Sequence, residues 1–272
     1  MQFVDKAFAR RLESAEEMPQ VLYARVFQQT RPEIGAAEQE ICGGHMSFCG
    51  LGSPVGRAVA LGLDRPFTES DLDQVEAFYR AHKAPAQVDL CPLHGPEVFE
   101  MFKQRGYAIA ELNNVLYCRI DRTETWPAPP PGCEIRRSSA DEAEVTGAIV
   151  ESAFFPDGTP EPFRGLIAPL YQMKGAVAFV ASVEGRPVAC GTGLILEEHK
   201  IVALCGAGTL AAYRGRGFQT ALLERRMQTA AEAGCEFAVI VTNGGSTSQR
   251  NAERLGFQVA YSKVTAIKQL ET

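Results

Sequence analysis

The chain has no run of about 18 apolar residues, so no membrane-spanning helix is expected. Its first residues, MQFVDKAFARRLESAEE, are interrupted by charge throughout and lack the apolar centre of a secretory leader. A cytoplasmic protein without a membrane partner is the resulting expectation. A basic excess is missing too. Lys and Arg number 27 against 33 Asp and Glu, a net charge of −6, which argues against a nucleic-acid partner. That balance still allows a local basic pocket for a small anion. The eight cysteines include no CxxC pair. The one local group, Cys42, His45 and Cys49, has no fourth ligand at a workable spacing, so no metal is assigned and the cysteines read as small buried residues.

Apolar residues make up 46% of the 272 and charged residues 22%, enough for a core in each of two domains. Trp126-Pro127-Ala128-Pro129-Pro130-Pro131-Gly132 reads as a stiff extended linker. The domains are set at residues 1–122 and 134–272, with the linker over 123–133. In the second half, Ser138 to Ala153 has helical spacing and Phe163 to Tyr171 a shorter helical stretch. Three strands follow, Ala176 to Val183, Val188 to Leu196 and Ile201 to Thr209, separated by Glu184-Gly185 and by the polar turn Glu197 to Lys200. The pattern then switches to a helix over Phe218 to Ala233, with Leu223, Met227 and Ala230 on one face. A fully apolar strand, Phe237 to Val241, a helix over Ser246 to Leu255 and a last strand, Phe257 to Ile267, complete a mixed α/β sheet.

The first half repeats this order more faintly. A helix carries Leu72, Val75, Phe78 and Tyr79 behind the cap Thr68; then come a strand over Val88 to Cys91, a helix over Val98 to Lys103 and a strand ending near Tyr117. Gly106 before Tyr107 and Gly256 before Phe257 lie 150 residues apart (256 − 106), and the same offset aligns the short strands. The pattern is read as an internal duplication.

One loop carries chemical meaning. Tyr213-Arg214-Gly215-Arg216-Gly217-Phe218-Gln219-Thr220 joins a strand to a helix. A helix start offers unpaired N–H groups and partial positive charge, glycines let backbone approach closely, and arginines add charge-assisted hydrogen bonds. On these residues, from about 134 to 269, the chain resembles the GNAT superfamily of N-acetyltransferases, whose signature is Gln/Arg-x-x-Gly-x-Gly/Ala. Arg214 and Gly217 match it, and Gln219 departs from it. The resemblance implies two tandem GNAT-like domains, the first degenerate. It also implies acetyl-CoA as cosubstrate, bound by Thr209, Leu210, Arg214, Gly215, Arg216, Gly217, Phe218, Gln219, Thr220 and Asn251. The loop's counterpart in the first half, Gly62-Leu63-Asp64-Arg65-Pro66-Phe67, offers no phosphate nest. That half reads as a scaffold for the acceptor pocket or as a homodimer contact.

The implied reaction is N-acetyl transfer to a primary amine of a small-molecule or amino-acid-like acceptor. The resemblance puts an oxyanion-binding backbone N–H at Thr209, near the end of the fourth strand of the fold, with Gly206 and Gly208 as bulge residues. The family's tyrosine acid would fall at position 252, which is Ala252. Asn251 and Ser248 are carried as catalytic candidates, with Tyr261 a further hydroxyl. Glu151, on an early helix, and Glu197, Glu198 and His199, on a strand turn, are the general-base candidates, each also readable as a solvated surface residue, and the sequence selects none of them. The missing tyrosine keeps a second reading open, a catalytically silent CoA-binding sensor or recruitment module. Propionyl- or succinyl-CoA is a third.

Overall fold

The Asp5 side chain accepts a hydrogen bond from the Phe8 N–H at 2.8 Å and so starts helix α1, Lys6–Thr30. The face that α1 buries is not a plain apolar stripe. Leu12, Val21 and Phe27 share it with Glu13, Glu17 and Gln20. In this computed structural model, residues 3–121 and 126–271 are described; positions 123–125 of the expected linker lie outside them.

The elements after α1 are β1 (Ala37–Ile41), β2 (Gly44–Phe48), β3 (Ala58–Val59), α2 (Glu69–Ala81), β4 (Ala86–Leu90), α3 (Pro96–Gln104) and β5 (Ala108–Arg119). Then come β6 (Cys133–Arg137), α4 (Ala143–Phe154), β7 (Ala176–Val183), β8 (Arg186–Leu196) and β9 (Ile201–Thr209). The chain ends with α5 (Phe218–Glu232), β10 (Phe237–Asn243), α6 (Thr247–Glu253) and β11 (Gln258–Lys268). The offset of 150 carries α2 onto α5, β4 onto β10, α3 onto α6 and β5 onto β11. The Phe163 to Tyr171 stretch is not an α-helix. Pro162, Gly165 and Pro169 break it into 3₁₀ turns at Glu161–Phe163 and Ala168–Gln172.

The chain divides into two units. The first takes Met1–Tyr117, Val241–Gln249 and Gln258–Thr272; the second takes Cys118–Ile240 and Arg250–Phe257. Within the first, strands lie in the order β1-β2-β3-β4-β11-β5. The last strand of the chain is therefore central there, antiparallel to both β4 and β5. Within the second, the order is β10-β9-β8-β7-β6, antiparallel except for the parallel β9–β10 pair.

Strand β11 is fixed in the first unit by polar groups on one face. Tyr261 donates to Glu13 Oε1 at 2.7 Å, and Thr265 to Asp89 Oδ1 at 2.7 Å. Between them Lys263 reaches Glu13 at 3.0 Å and Asp89 at 3.5 Å, and it also pairs with Glu16. Burial works to lower the Lys263 pKa, but these carboxylates outweigh it and hold the ammonium above its ordinary value. Burial raises the pKa of Glu13. It works in the same direction on Asp89, where Arg57 and Lys263 prevail and lower it.

Replacing Lys263 with Met strands these carboxylates without their shared cation. A loss of about 3–5 kcal/mol at pH 7 is expected in urea unfolding. In the variant the Glu13 pKa, already raised by burial, rises further above its unfolded value near 4, so the penalty is full above the folded value and fades as pH falls towards 4. The gap between wild type and K263M should therefore narrow from pH 7 to pH 4; a gap independent of pH would contradict this account of β11.

Candidate active site

The site-bearing loop follows β9, and β9 is irregular where it matters. Its register with β8 pairs Thr192 with Cys205, then Cys190 with Gly208. Two residues, Gly206 and Ala207, thus stand opposite Gly191, a β-bulge. Gly206 takes φ +51°, where a side chain would also meet Thr192 Oγ1 and Ile167. Gly208 serves another need: a Cβ there would lie 2.9 Å from Val150 Cα, so its absence lets α4 close onto the strand. Helices α4 and α5 cover opposite faces. The Cys190 thiol donates to Thr146 O on α4 at 3.3 Å, while the neighbouring Gly191 faces Arg226 on α5.

Beyond the bulge, the Leu210 N–H donates to Val188 O at 2.9 Å. Because Leu210 is so paired, the adjacent Thr209, opposite Ala189, turns its N–H and C=O to the other edge of β9. Along that edge the register with β10 runs from Phe237↔Ile201 to Val239↔Ala203 and goes no further, while β9 continues to Thr209. The Thr209 N–H thus faces the edge where the parallel ladder has ended.

The loop then enters α5 without a cap. Gly217 is the N-cap at φ +82°, Gly215 has φ +75°, no side chain caps the first turn, and no acidic residue lies in it. Nothing lies within 4 Å of where a Gly215 Cβ would sit. Gly215, Arg216 and Gly217 are exposed, Gln219 and Thr220 half-buried, and Phe218 is buried against Leu222 and Phe179. Bare N–H groups, backbone open to close approach and a cation beside them make this helix start a candidate anion cradle.

The two arginines differ. Arg214 donates through Nε to Thr209 O at 3.3 Å and through Nη2 to Ala153 O at 3.0 Å, which ties the end of β9 to the end of α4. Arg216 rests its guanidinium 5.2 Å from the centroid of the Tyr213 ring. The signature departure is accommodated by rotation. The Gln219 amide donates to Thr209 Oγ1 at 2.8 Å and to Cys190 O at 3.4 Å, so it turns towards the strands rather than into the cradle.

The other candidates are placed less tightly. Ser248 is exposed and Asn251 half-buried on α6; among the described residues neither makes a side-chain hydrogen bond. Ala252 is fully buried. Tyr261 belongs to the Glu13–Lys263 cluster of the first unit, where burial and the Glu13 carboxylate push its pKa far up. Glu151 accepts from the Gly165 N–H at 2.9 Å, which holds the turn after α4. Glu197, Glu198 and His199 form a single 3₁₀ turn. His45 lies 2.7 Å from Glu17, and burial pushes the Cys49 thiol up to about 12. Sequence reasoning passed over Arg226 and Thr192, both buried at the bulge. The signal was Arg226 itself, a charge one helical turn after the core residue Leu222.

The family model for the Acetyltransferase (GNAT) family matches residues 146–257, the stretch from α4 to the start of β11. Over residues 146–257 the chain carries the sequence pattern of the GNAT acetyltransferase family. Among solved structures the chain is similar to a GCN5-related N-acetyltransferase from Kribbella flavida, at 19% identity and TM-score 0.65, over 91% of this chain and 96% of that one. It is also similar to a tandem GNAT protein from the clavulanic acid biosynthesis pathway, at 13% identity and TM-score 0.62, over 84% and 79%. A third, from Sphaerobacter thermophilus, is 20% identical with TM-score 0.51, over 70% and 62%. At these identities the likeness is one of fold. Among curated proteins no sequence matches. The GNAT family is one of acyl-CoA-dependent acetyl transfer, and the bulged β9 and uncapped α5 lie inside its matched span.

Thr209 and Gln219 should act as one unit. Gln219→Ala and Thr209→Val are each expected to lower stability by about 1 kcal/mol. The double variant should lose clearly less than their sum. Urea unfolding of the four proteins measures the coupling, and strict additivity would remove the bond from the account.

Proposed function

We propose that the chain is an acetyl-CoA-dependent N-acetyltransferase acting on a primary amine of a small-molecule or amino-acid-like acceptor. The observation that carries this reading is the bare, glycine-flanked start of α5 directly after the bulged strand. The cradle fits a pyrophosphate: the N–H groups from Gly215 to Thr220 and the Arg216 side chain would hold it. Held there, the cosubstrate supplies an activated acetyl thioester.

The chain's own contributions follow from its geometry. The Thr209 N–H faces the edge of β9 where the ladder with β10 has ended, so it suits the negative charge that develops on a thioester oxygen. Arg214 and Gln219 brace that residue through its carbonyl and its hydroxyl. An alkylamine acceptor has a pKa near 10.4 and must reach the site as the free base to attack.

A catalytically silent CoA-binding module is the second reading. Fully buried Ala252, with no proton to give where the resemblance expects an acid, favours it.

Two measurements separate these readings. At about 100 times its dissociation constant, CoA should add roughly 2.7 kcal/mol of stability. Release of free thiol from acetyl-CoA with a panel of amines, checked by the mass of the acetylated product, reports transfer. Stabilisation with turnover supports the enzyme, stabilisation without turnover supports the silent module, and no stabilisation removes both. Arg216→Ala should weaken CoA binding by about 1 kcal/mol with little change in unfolding. Arg214→Ala should lower stability first, because its donors serve Thr209 and Ala153.

A further inference from the structure

Arg226 is 3% exposed on α5, and among the described residues no carboxylate pairs with it. Burial draws its pKa down to about 10. An unpaired cation in a protein interior costs several kcal/mol unless hydrogen bonds compensate it. Its partners here are carbonyls. Nη1 donates to Thr192 O at 2.8 Å and reaches Cys205 O at 3.5 Å, while Nε donates to Leu222 O at 3.1 Å.

Thr192 and Cys205 flank the one-residue register shift that makes the β9 bulge. A bulge interrupts the ladder and leaves backbone groups in need of other partners. Thr192 Oγ1 donates to Cys205 O at 3.0 Å and to Gly206 O at 3.4 Å, from the face that α4 covers. Arg226 reaches the same strands from the α5 face. Position 191 is glycine, and a Cβ there would stand 2.8–2.9 Å from the guanidinium. The bulge is therefore clamped from both sides, and the α5 side uses a forked cation where an apolar residue would fill the same space at lower cost.

We propose that Arg226 is a positioning residue for acetyl transfer: its buried guanidinium fixes the Gly206–Ala207 bulge and thereby aims the Thr209 N–H away from β8. The link is geometric. The bulge shifts the pairing by one residue, and that shift decides which N–H groups between Gly208 and Leu210 bond to β8 and which face the other edge. Lysine keeps the charge but offers a point donor in place of a fork. This proposal rests on the reading of Thr209 as the oxyanion donor.

The test compares wild type, Arg226→Lys and Arg226→Met as full chains. For each it measures kcat and KM with acetyl-CoA, the CoA dissociation constant, and hydrogen exchange at the amides of Gly208, Thr209 and Leu210. In Arg226→Lys, kcat should fall at least about tenfold while the CoA dissociation constant changes by less than about threefold, because misplacement touches the reacting end and leaves the cradle intact. Exchange at Leu210 should accelerate as its bond to Val188 loosens. A folded R226K with wild-type kcat and wild-type exchange overturns the proposal.

If the Arg226 variants fail to fold, Gly191→Ala displaces the guanidinium without removing it, and the same split between kcat and CoA affinity is expected. An unchanged kcat in folded G191A overturns the proposal equally. A wild type that binds CoA but turns over no amine fails the functional reading instead. The exchange at Leu210 in R226K then still decides whether Arg226 fixes the bulge.

Discussion

Gly217 at φ +82° is the constraint on which the functional reading depends. It turns the chain from β9 into α5 and supplies no capping side chain, so the first turn of the helix keeps its N–H groups for something else. The equivalent helix of the first unit shows the alternative. There Thr68 and Asp71 form a capping box, and Arg65 grips Asp71 through two bonds of 2.9 and 2.6 Å. Glu69 and Asp71 place negative charge in that first turn. Gly62 is hemmed by Phe67 and His94. The Thr68 and Asp71 N–H groups at the start of α2 are bonded to each other's side chains, and an anion there would meet carboxylates. One helix start is closed by chemistry and the other is left open by glycine.

The first unit spends its interior differently. A helix that buries Glu13 and Glu17, and a last strand that buries Lys263, are poor choices for hydrophobic stability alone. Their value is register. Tyr261, Lys263 and Thr265 alternate on one face of β11 and meet partners on α1 and β4, so a slip by one residue would bury Ser262 and Val264 against carboxylates. An apolar strand would pack in either register at less cost.

The legible parts of the fold were those with strong local signals. β7 and β9 fall on the residues read as strands, and α5 lies within one residue of its Gly-bounded pattern. Helix α1 was missed because its buried face carries Glu and Gln, which defeats a search for apolar periodicity. β1 and β2 were missed because each is five residues long and β1 is polar. In the site, the loop was readable because glycine and arginine state their chemistry locally. The separate tasks of Arg214 and Arg216, the inward turn of Gln219 and the burial of Arg226 depend on residues far away in sequence, and no local pattern encodes them.

The most direct measurement is backbone amide hydrogen exchange with and without saturating acetyl-CoA. The account predicts added protection at Gly215 to Thr220 and at Thr209, with none at Gly62 to Thr68. Protection centred on the α2 loop, or none at the start of α5, would contradict it.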